Sequence, residues 1–493
     1  MSILFFLSSG LFLGWSHGAN NAGNVFGTAI GSQMVKFRTA AIVTSIFVIL
    51  GSVVSGSGAS MTLGRLGSVN EIAGAFIVAL STAFSILIMT RFDLPVSTTQ
   101  TVVGAIVGWN LFSGSMTDLN SLTKIVSSWI VTPIITAIFA VVIYLFVRFF
   151  LNRVKMHLLF LDFWNRIGLI VVGGFGAYTL GGNNIATVMG VFVPVVPFHP
   201  LETPFGMLTG TEQLFLLGGM AMASGVLTYS YKVMKTVGKS VIPLTPISAL
   251  VVVFSSSTVL FLFSSQSLEH FLASHGMPTI PLVPVSSAQA VVGALIGIGL
   301  LQGGRGMNLG QLGKIASGWV TAPLMACLIC FVSLYIFQNV FNQKVYREVK
   351  YSITETVAKR MIAEGITFNA MDEFIGTEFR NSVEFRSALD RNALDLGREE
   401  RMKLMELAEI RRLKVDLDRI KFELDEGVFT PSQASALSSI NGNTYSHVWE
   451  LREELQYLSD DWKLLPGTPA NKKRNSDILS KIDYLSKKFW VAE

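Results

Sequence analysis

Long stretches without Lys, Arg, Asp or Glu recur along the chain, among them residues 1–35, 39–64, 72–90, 94–117, 125–147, 167–201, 240–268, 270–304 and 315–343. About 20 apolar residues cross the hydrocarbon core of a bilayer as a helix. A soluble domain has no room for so many buried helices of that length around one core. The sequence therefore predicts an all-α polytopic membrane protein.

Its charges are gathered at the other end. Residues 1–342 hold 14 of the 38 Lys and Arg and 7 of the 33 Asp and Glu, leaving 24 and 26 for residues 343–493. The first part is +7 and the tail −2, which sum to the formal +5. Basic excess in short loops is a topology signal, so the sequence pI of 9.1 does not argue for nucleic acid. The opening MSILFFLSSGLFLGW has neither a basic n-region nor a small-residue cleavage site, and reads as a first membrane segment. Cys327 and Cys330 sit inside the apolar run LMACLICFVSLYIF with no His or second Cys pair beside them, which suits two small packing side chains better than a redox or metal pair.

Three motifs occur twice, in the same order. GANNAGNVFG (18–27) is echoed by GGNNIATVMG (181–190), LPVSTTQTVVGAIVG (94–108) by VPVSSAQAVVGALIG (283–297), and SSWIVTPIITAI (127–138) by SGWVTAPLMACL (317–328). Duplicated membrane segments are the mark of transporters built from two repeats with the substrate site between them. The expected division is membrane repeat 1 over 1–155, membrane repeat 2 over 156–342 and a soluble helical domain over 343–493.

Each motif has a local rationale. Gly and Asn runs favour a broken helix, which at membrane depth is tolerated where it lines a polar cavity. Pro followed by Ser, Thr and Gln suits the start of a half-helix, whose free N–H groups and hydroxyls make an anion site.

These paired motifs resemble the inorganic phosphate transporter (PiT) family, whose signature reads approximately G-A-N-D-x-A-N-x-x-G in each half, followed by P-V-S-T-T-H or P-x-S-S-T-H. The resemblance covers residues 1 to about 342. It implies two inverted repeats with broken helices and re-entrant hairpins, and cation-coupled uptake of phosphate, with some relatives described as sulfate permeases. Asn20, Asn24, Asn183, Ser97, Thr98, Thr99, Ser286 and Ser287 match the pattern. Asn21 and Asn184 stand where the family usually has Asp, Thr187 where it has the second Asn, Ala288 where it has Thr, and Gln100 and Gln289 where it usually has His. By this resemblance Ser97, Thr98, Thr99, Gln100, Ser286, Ser287 and Gln289 are expected to bind substrate. Asn20, Asn21, Asn24, Asn183, Asn184 and Thr187 are expected to bind the cation or the substrate, with sodium as the coupling ion and no other cofactor.

The departures bear on mechanism. A carboxylate ~4 Å from an anion costs about 4 kcal/mol per unit charge product at an effective dielectric of 20. An Asn in its place donates to an oxyanion and still offers a carbonyl oxygen to a hard cation. His17 is the one titratable side chain next to these motifs, so proton coupling is weakly supported. Hydrogen phosphate has a proton that a carboxylate can accept and sulfate has none, so the exchange to Asn narrows the preference for phosphate over sulfate.

Other charged residues have plainer readings. Glu212, in LTGTEQLFLLGG, is either a membrane-depth acid or, the favoured reading, the interfacial start of a helix. Arg91, Arg148, Arg153, Lys155 and Arg305 set topology more readily than they draw anions, and Asp93 suits a helix cap. In the tail, Ile410, Leu413, Leu417, Ile420 and Leu424 form a 3,4-spaced seam of about two heptads on the expected helix EERMKLMELAEIRRLKVDLDRIKFELDEG. Packing inside a small helical domain and a homodimer are both compatible with that seam. Breaks are expected at 427–435 and 466–477. Lys344, Arg347 and Lys350 place the tail on the cytoplasmic side of a plasma (inner) membrane, with lipids around the first part. No nucleophile–base pair, phosphate loop or metal cluster supports an enzyme; a channel or an anion-sensing receptor are the rivals to a secondary transporter.

Overall fold

The charge-free runs fold as helices. The computed structural model describes residues 3–491 except 58–59, 61–62, 64–65, 67–68, 92–95, 116, 118, 155–156, 197, 199–200, 204–205, 241–243, 305–306, 370, 394–395, 426–427 and 467–470. In order the membrane helices are α1 (Ile3–Gly31), α2 (Phe37–Ser55), α3 (Ile72–Arg91), α4 (Thr98–Ser113), α5 (Leu119–Arg153), α6 (Leu158–Met189), α7 (Gly210–Ser240), α8 (Pro246–Ser264), the short α9 (Gln266–Ser274), α10 (Ser287–Leu301) and α11 (Leu309–Asn339). Among the described residues seven of them, α2, α3, α5, α6, α7, α8 and α11, are long and apolar enough to cross a membrane. Helix α1 has the length at 29 residues, but its glycines, asparagines and His17 dilute its hydropathy.

The expected breaks at the Gly and Asn runs are absent. Helices α1 and α6 pass through residues 18–27 and 181–187 without interruption. Their glycines serve close approach instead. A Cβ on Gly18 would overlap the Met222 carbonyl oxygen of α7, and one on Gly225 of α7 would overlap the Trp15 carbonyl of α1. The same crossing recurs with α6 and α2, where Gly181 lies on the Val48 carbonyl and Gly51 on that of Tyr178. Gly18 and Gly181 hold the same place in the duplicated motif, so the first helix of each half crosses the second helix of the other.

A second exchange involves the short helices. Gly104 and Gly108 of α4 lie against the Pro323 and Cys327 carbonyls of α11; Gly293 and Gly297 of α10 lie against those of Pro133 and Ala137 in α5. Two small residues four apart let helix backbones meet closely in a membrane. Both contacts advance together along the two chains, so α4 runs parallel to α11 and α10 parallel to α5. Cys327 thus contributes to helix packing through its backbone.

Glu212 closes the start of α7. Its Oε2 accepts from Thr209 N and from Thr209 Oγ1, each at 2.8 Å, while its own N–H donates to Thr209 Oγ1 at 3.2 Å. This reciprocal capping box marks a helix start, as the reading favoured by the sequence requires. Glu212→Ala is expected to lose roughly 0.5–2 kcal/mol of stability, the usual worth of an N-terminal cap. Thermal melting of the purified variant should show that loss, with unchanged uptake per folded molecule. Arg91, Arg148 and Arg153 are exposed, and the Arg153 guanidinium lies 4.3 Å over the Phe149 ring. Asp93, Lys155 and Arg305 fall outside the described residues.

The chain divides into two compact units, one of Met1–Phe112, Thr117–Phe271 and Pro278–Val345, the other of Ser113–Met116, Leu272–Met277 and Tyr346–Glu493. The second is helical with small sheets and two apolar cores, one built around Phe385, Leu389 and Leu404 and the other around Leu413, Trp462 and Phe489. The continuous helix expected over 399–427 is not formed. A helix ends at Ala408; Glu409 and Tyr351 then pair antiparallel, and Leu413–Lys414 pairs with Thr444–Tyr445. Leu413 and Val415 point inward while Lys414 is exposed, a period of two that strand pairing rewards over the helical seam. Chain breaks do fall before the helix at Pro431–Ser439, which Thr430 caps, and before the one at Lys472–Lys488.

Candidate functional site

The two short helices begin at the duplicated Ser motifs. Helix α4 has 16 residues and α10 has 15, about 24 and 22 Å at 1.5 Å per residue, too short to span a bilayer core. Ser97 Oγ accepts from Gln100 N at 3.4 Å and Ser286 Oγ from Gln289 N at 3.2 Å, so both helices start where the sequence predicts and open on a serine cap. Ser97, Thr98, Thr99, Gln100, Ser286, Ser287 and Gln289 are all buried. Pro95 lies outside the described residues.

Asparagines of α1 and α6 tie these helix starts together. Asn183, fully buried, grips the Val285 backbone with both ends of its amide: Val285 N donates to its Oδ1 at 3.0 Å and its Nδ2 donates to Val285 O at 2.7 Å. Thr99 Oγ1 reaches the same carbonyl at 3.4 Å. From the other side, Asn24 Nδ2 donates to Ser287 Oγ at 3.2 Å, and Asn21 Nδ2 lies 3.5 Å from Thr98 Oγ1. Four elements, α1, α4, α6 and the lead into α10, therefore converge on one cluster.

The two halves are not used alike. Asn20, the counterpart of Asn183, is half-buried and makes no side-chain hydrogen bond among the described residues. Asn21 Nδ2 lies 2.7 Å from His17 Nε2, whereas Asn184 Nδ2 and Thr187 Oγ1 are buried without a partner. A buried donor without a partner costs about 1–3 kcal/mol, so each is poised to bind a guest acceptor. Among the described residues of the membrane unit His17 is the one buried His, Asp, Glu, Lys or Arg. The cluster is built from amides, hydroxyls, helix N-termini and that one imidazole, with no carboxylate, Lys or Arg among its described residues.

Gln100 and Gln289 face a different space. They line a cavity of about 650 Å3 with Trp129, Pro133, Trp319 and Pro323, and both Oε1 atoms and both indole Nε1 atoms are buried without a partner. Trp129 and Trp319 are visible in sequence as the aromatic member of the third duplicated motif, but an isolated Trp reads as packing. The part played by the Val285 backbone leaves no trace in side-chain chemistry.

A neutral, duplicated, donor-rich cluster on short helices points to anion transport, and comparison with known proteins decides the family. A model of the phosphate transporter family matches residues 17–164, 161–270 and 277–405. The chain belongs to that family. Its members are transporters, and both copies of each motif lie within the match, which continues past α11. A Pyrococcus horikoshii protein provisionally named a phosphate permease is 25% identical over 399 residues, covering 65% of this chain and 94% of that protein. One of Haemophilus influenzae with the same provisional name is 24% identical over 419 residues, covering 68% and 96%. A solved structure of a protein named the sodium-dependent phosphate transporter shares the fold, with a TM-score of 0.53 at 22% identity over 68% of this chain and 100% of its own. The chain is thus a multi-pass membrane protein with the fold of a phosphate transporter.

Proposed function

We propose that the protein carries inorganic phosphate across the plasma membrane by sodium-coupled symport, through the neutral cluster at the starts of α4 and α10. Family membership supports the substrate class, and the name of the structural neighbour suggests sodium. The observation that carries the reading is the meeting of two serine-capped helix N-termini with two Asn pairs. Helix N-termini stabilise an anion through free N–H groups and the helix dipole. Asn184 Nδ2 and Thr187 Oγ1, buried and unpartnered, add two donors. Asn20, Asn21 and Asn24 add carbonyl oxygens, the ligand type sodium takes. A co-bound cation offsets the phosphate charge, since among the described residues of the membrane unit no Lys or Arg is buried to do so.

In this reading residues 1–155 and 156–342 are inverted repeats, a division supported by the matched crossings of α1 with α7 and of α6 with α2. Residues 343–493 then form a cytoplasmic appendage. Sulfate is the second reading, favoured by one observation: positions 21 and 184 hold Asn, so no carboxylate stands there to accept the proton of hydrogen phosphate.

Labelled phosphate exchange into phosphate-loaded proteoliposomes, with unlabelled sulfate as competitor, tests this. The expected result is saturable phosphate exchange that sulfate inhibits measurably. Asn21→Asp with Asn184→Asp should weaken inhibition by sulfate roughly tenfold, as one discriminating hydrogen bond allows. Unchanged competition in a folded double variant removes the selectivity argument, and exchange of sulfate alone removes the phosphate reading.

A further inference from the structure

The duplicated asparagines are presented in opposite senses. Asn184 uses its carbonyl, since Asn183 Nδ2 donates to Asn184 Oδ1 at 2.9 Å, and its own Nδ2 is left buried without a partner. Asn21 does the reverse. Its Nδ2 lies 2.7 Å from His17 Nε2, and its Oδ1 accepts only the long 3.4 Å bond from Asn24 Nδ2. An amide NH2 only donates, so the His17 ring accepts from it, with Nε2 the nearer nitrogen at 2.7 Å and Nδ1 at 3.4 Å. The oxygen of Asn21 is left on the side of Asn24, whose own Nδ2 reaches Ser287.

One residue that differs between the halves stands beside this amide. Leu180 occupies in the second half the place His17 holds in the first, and it can neither accept nor donate. The other contacts of the Asn21 amide are longer, to Thr98 Oγ1 at 3.5 Å and from Asn24 Nδ2 at 3.4 Å, and among the described residues of the membrane unit no Asp, Glu, Lys or Arg is buried.

We infer that His17 is a positioning residue that breaks the symmetry of the duplicated site: by holding the Asn21 NH2 it makes position 21 an oxygen ligand for sodium, while Asn184 stays a donor for the anion. The inference rests on the proposed sodium-coupled phosphate transport. It assigns the two halves different cargo, cation on the α1 side and oxyanion on the α6 side. His17 itself touches neither.

The test is the sodium dependence of phosphate uptake in proteoliposomes for His17→Leu, which copies Leu180, and His17→Gln, whose amide oxygen still accepts from Asn21. His17→Leu should raise half-saturating sodium about tenfold, the worth of one orienting hydrogen bond, with phosphate KM moved far less. His17→Gln should stay near the parent. His17→Leu combined with Asn21→Asp should regain sodium affinity, because a carboxylate offers oxygen in either orientation. Sodium protection against thermal unfolding of the purified proteins supplies the same ranking without transport. Unchanged half-saturating sodium in folded His17→Leu, or a loss that Asn21→Asp does not restore, overturns the role of His17. A parent protein that binds sodium in this ranking but moves no phosphate would leave the inference standing and sink the transport reading.

Discussion

Asn183→Ala is expected to abolish phosphate uptake in protein that still reaches the membrane, while Asn20→Ala, at the matching place in the first half, leaves a measurable rate. Asn183 satisfies both the N–H and the C=O of buried Val285, at 3.0 and 2.7 Å. Removing its amide leaves the buried Val285 N–H unpaired, at about 1–3 kcal/mol, and its carbonyl held by Thr99 Oγ1 alone at 3.4 Å. A loss of about 2 kcal/mol reduces the ordered lead into α10 by ~30-fold. Asn20 makes no such pair among the described residues, so its loss removes at most a direct ligand. Uptake of labelled phosphate normalised to protein that elutes as one peak by size-exclusion chromatography checks both variants. Equal loss in the two would mean that the grip on Val285 is incidental.

The second large effect concerns how the halves are joined. Gly18→Ala and Gly225→Ala each put a methyl group onto a backbone carbonyl of the facing helix, Met222 in one case and Trp15 in the other. Backbone cannot swing aside as a side chain does, so the pair of helices must separate along its length. Overpacking of a core costs about 1–3 kcal/mol, and a clash with backbone belongs at or beyond the upper end. A drop in melting temperature of roughly 10 °C or failure to purify as a single species is expected. Gly313→Ala serves as the control, because a Cβ there meets nothing within 4 Å and a helical Gly→Ala change is neutral or stabilising. Fluorescence-monitored melting in detergent separates the two cases.

Membrane class, duplication and the starts of α4 and α10 are legible in the sequence because each depends on local chemistry. Charge-free length, motif identity and a Pro-Val-Ser sequence need no knowledge of distant residues. The Gly and Asn runs mislead for the opposite reason. A glycine that permits a break and a glycine that permits close approach look alike in sequence, and only the Met222 and Val48 carbonyls show which is meant. The tail seam fails similarly, since Leu413 and Ile410 suit a helix until strands from 350–351 and 444–445 pair with that stretch. Glu212 is resolved by its own neighbour, Thr209, three residues earlier. The different presentation of Asn21 and Asn184 is half visible, in that His17 faces Leu180 across the repeat, but its consequence needs the direction of each amide.

The central claim is that a neutral site couples phosphate to sodium. Proteoliposomes loaded without sodium should accumulate labelled phosphate against its gradient when sodium is added outside, and should accumulate little when a pH gradient alone is imposed in sodium-free buffer. Strong proton-driven accumulation without sodium would contradict the account.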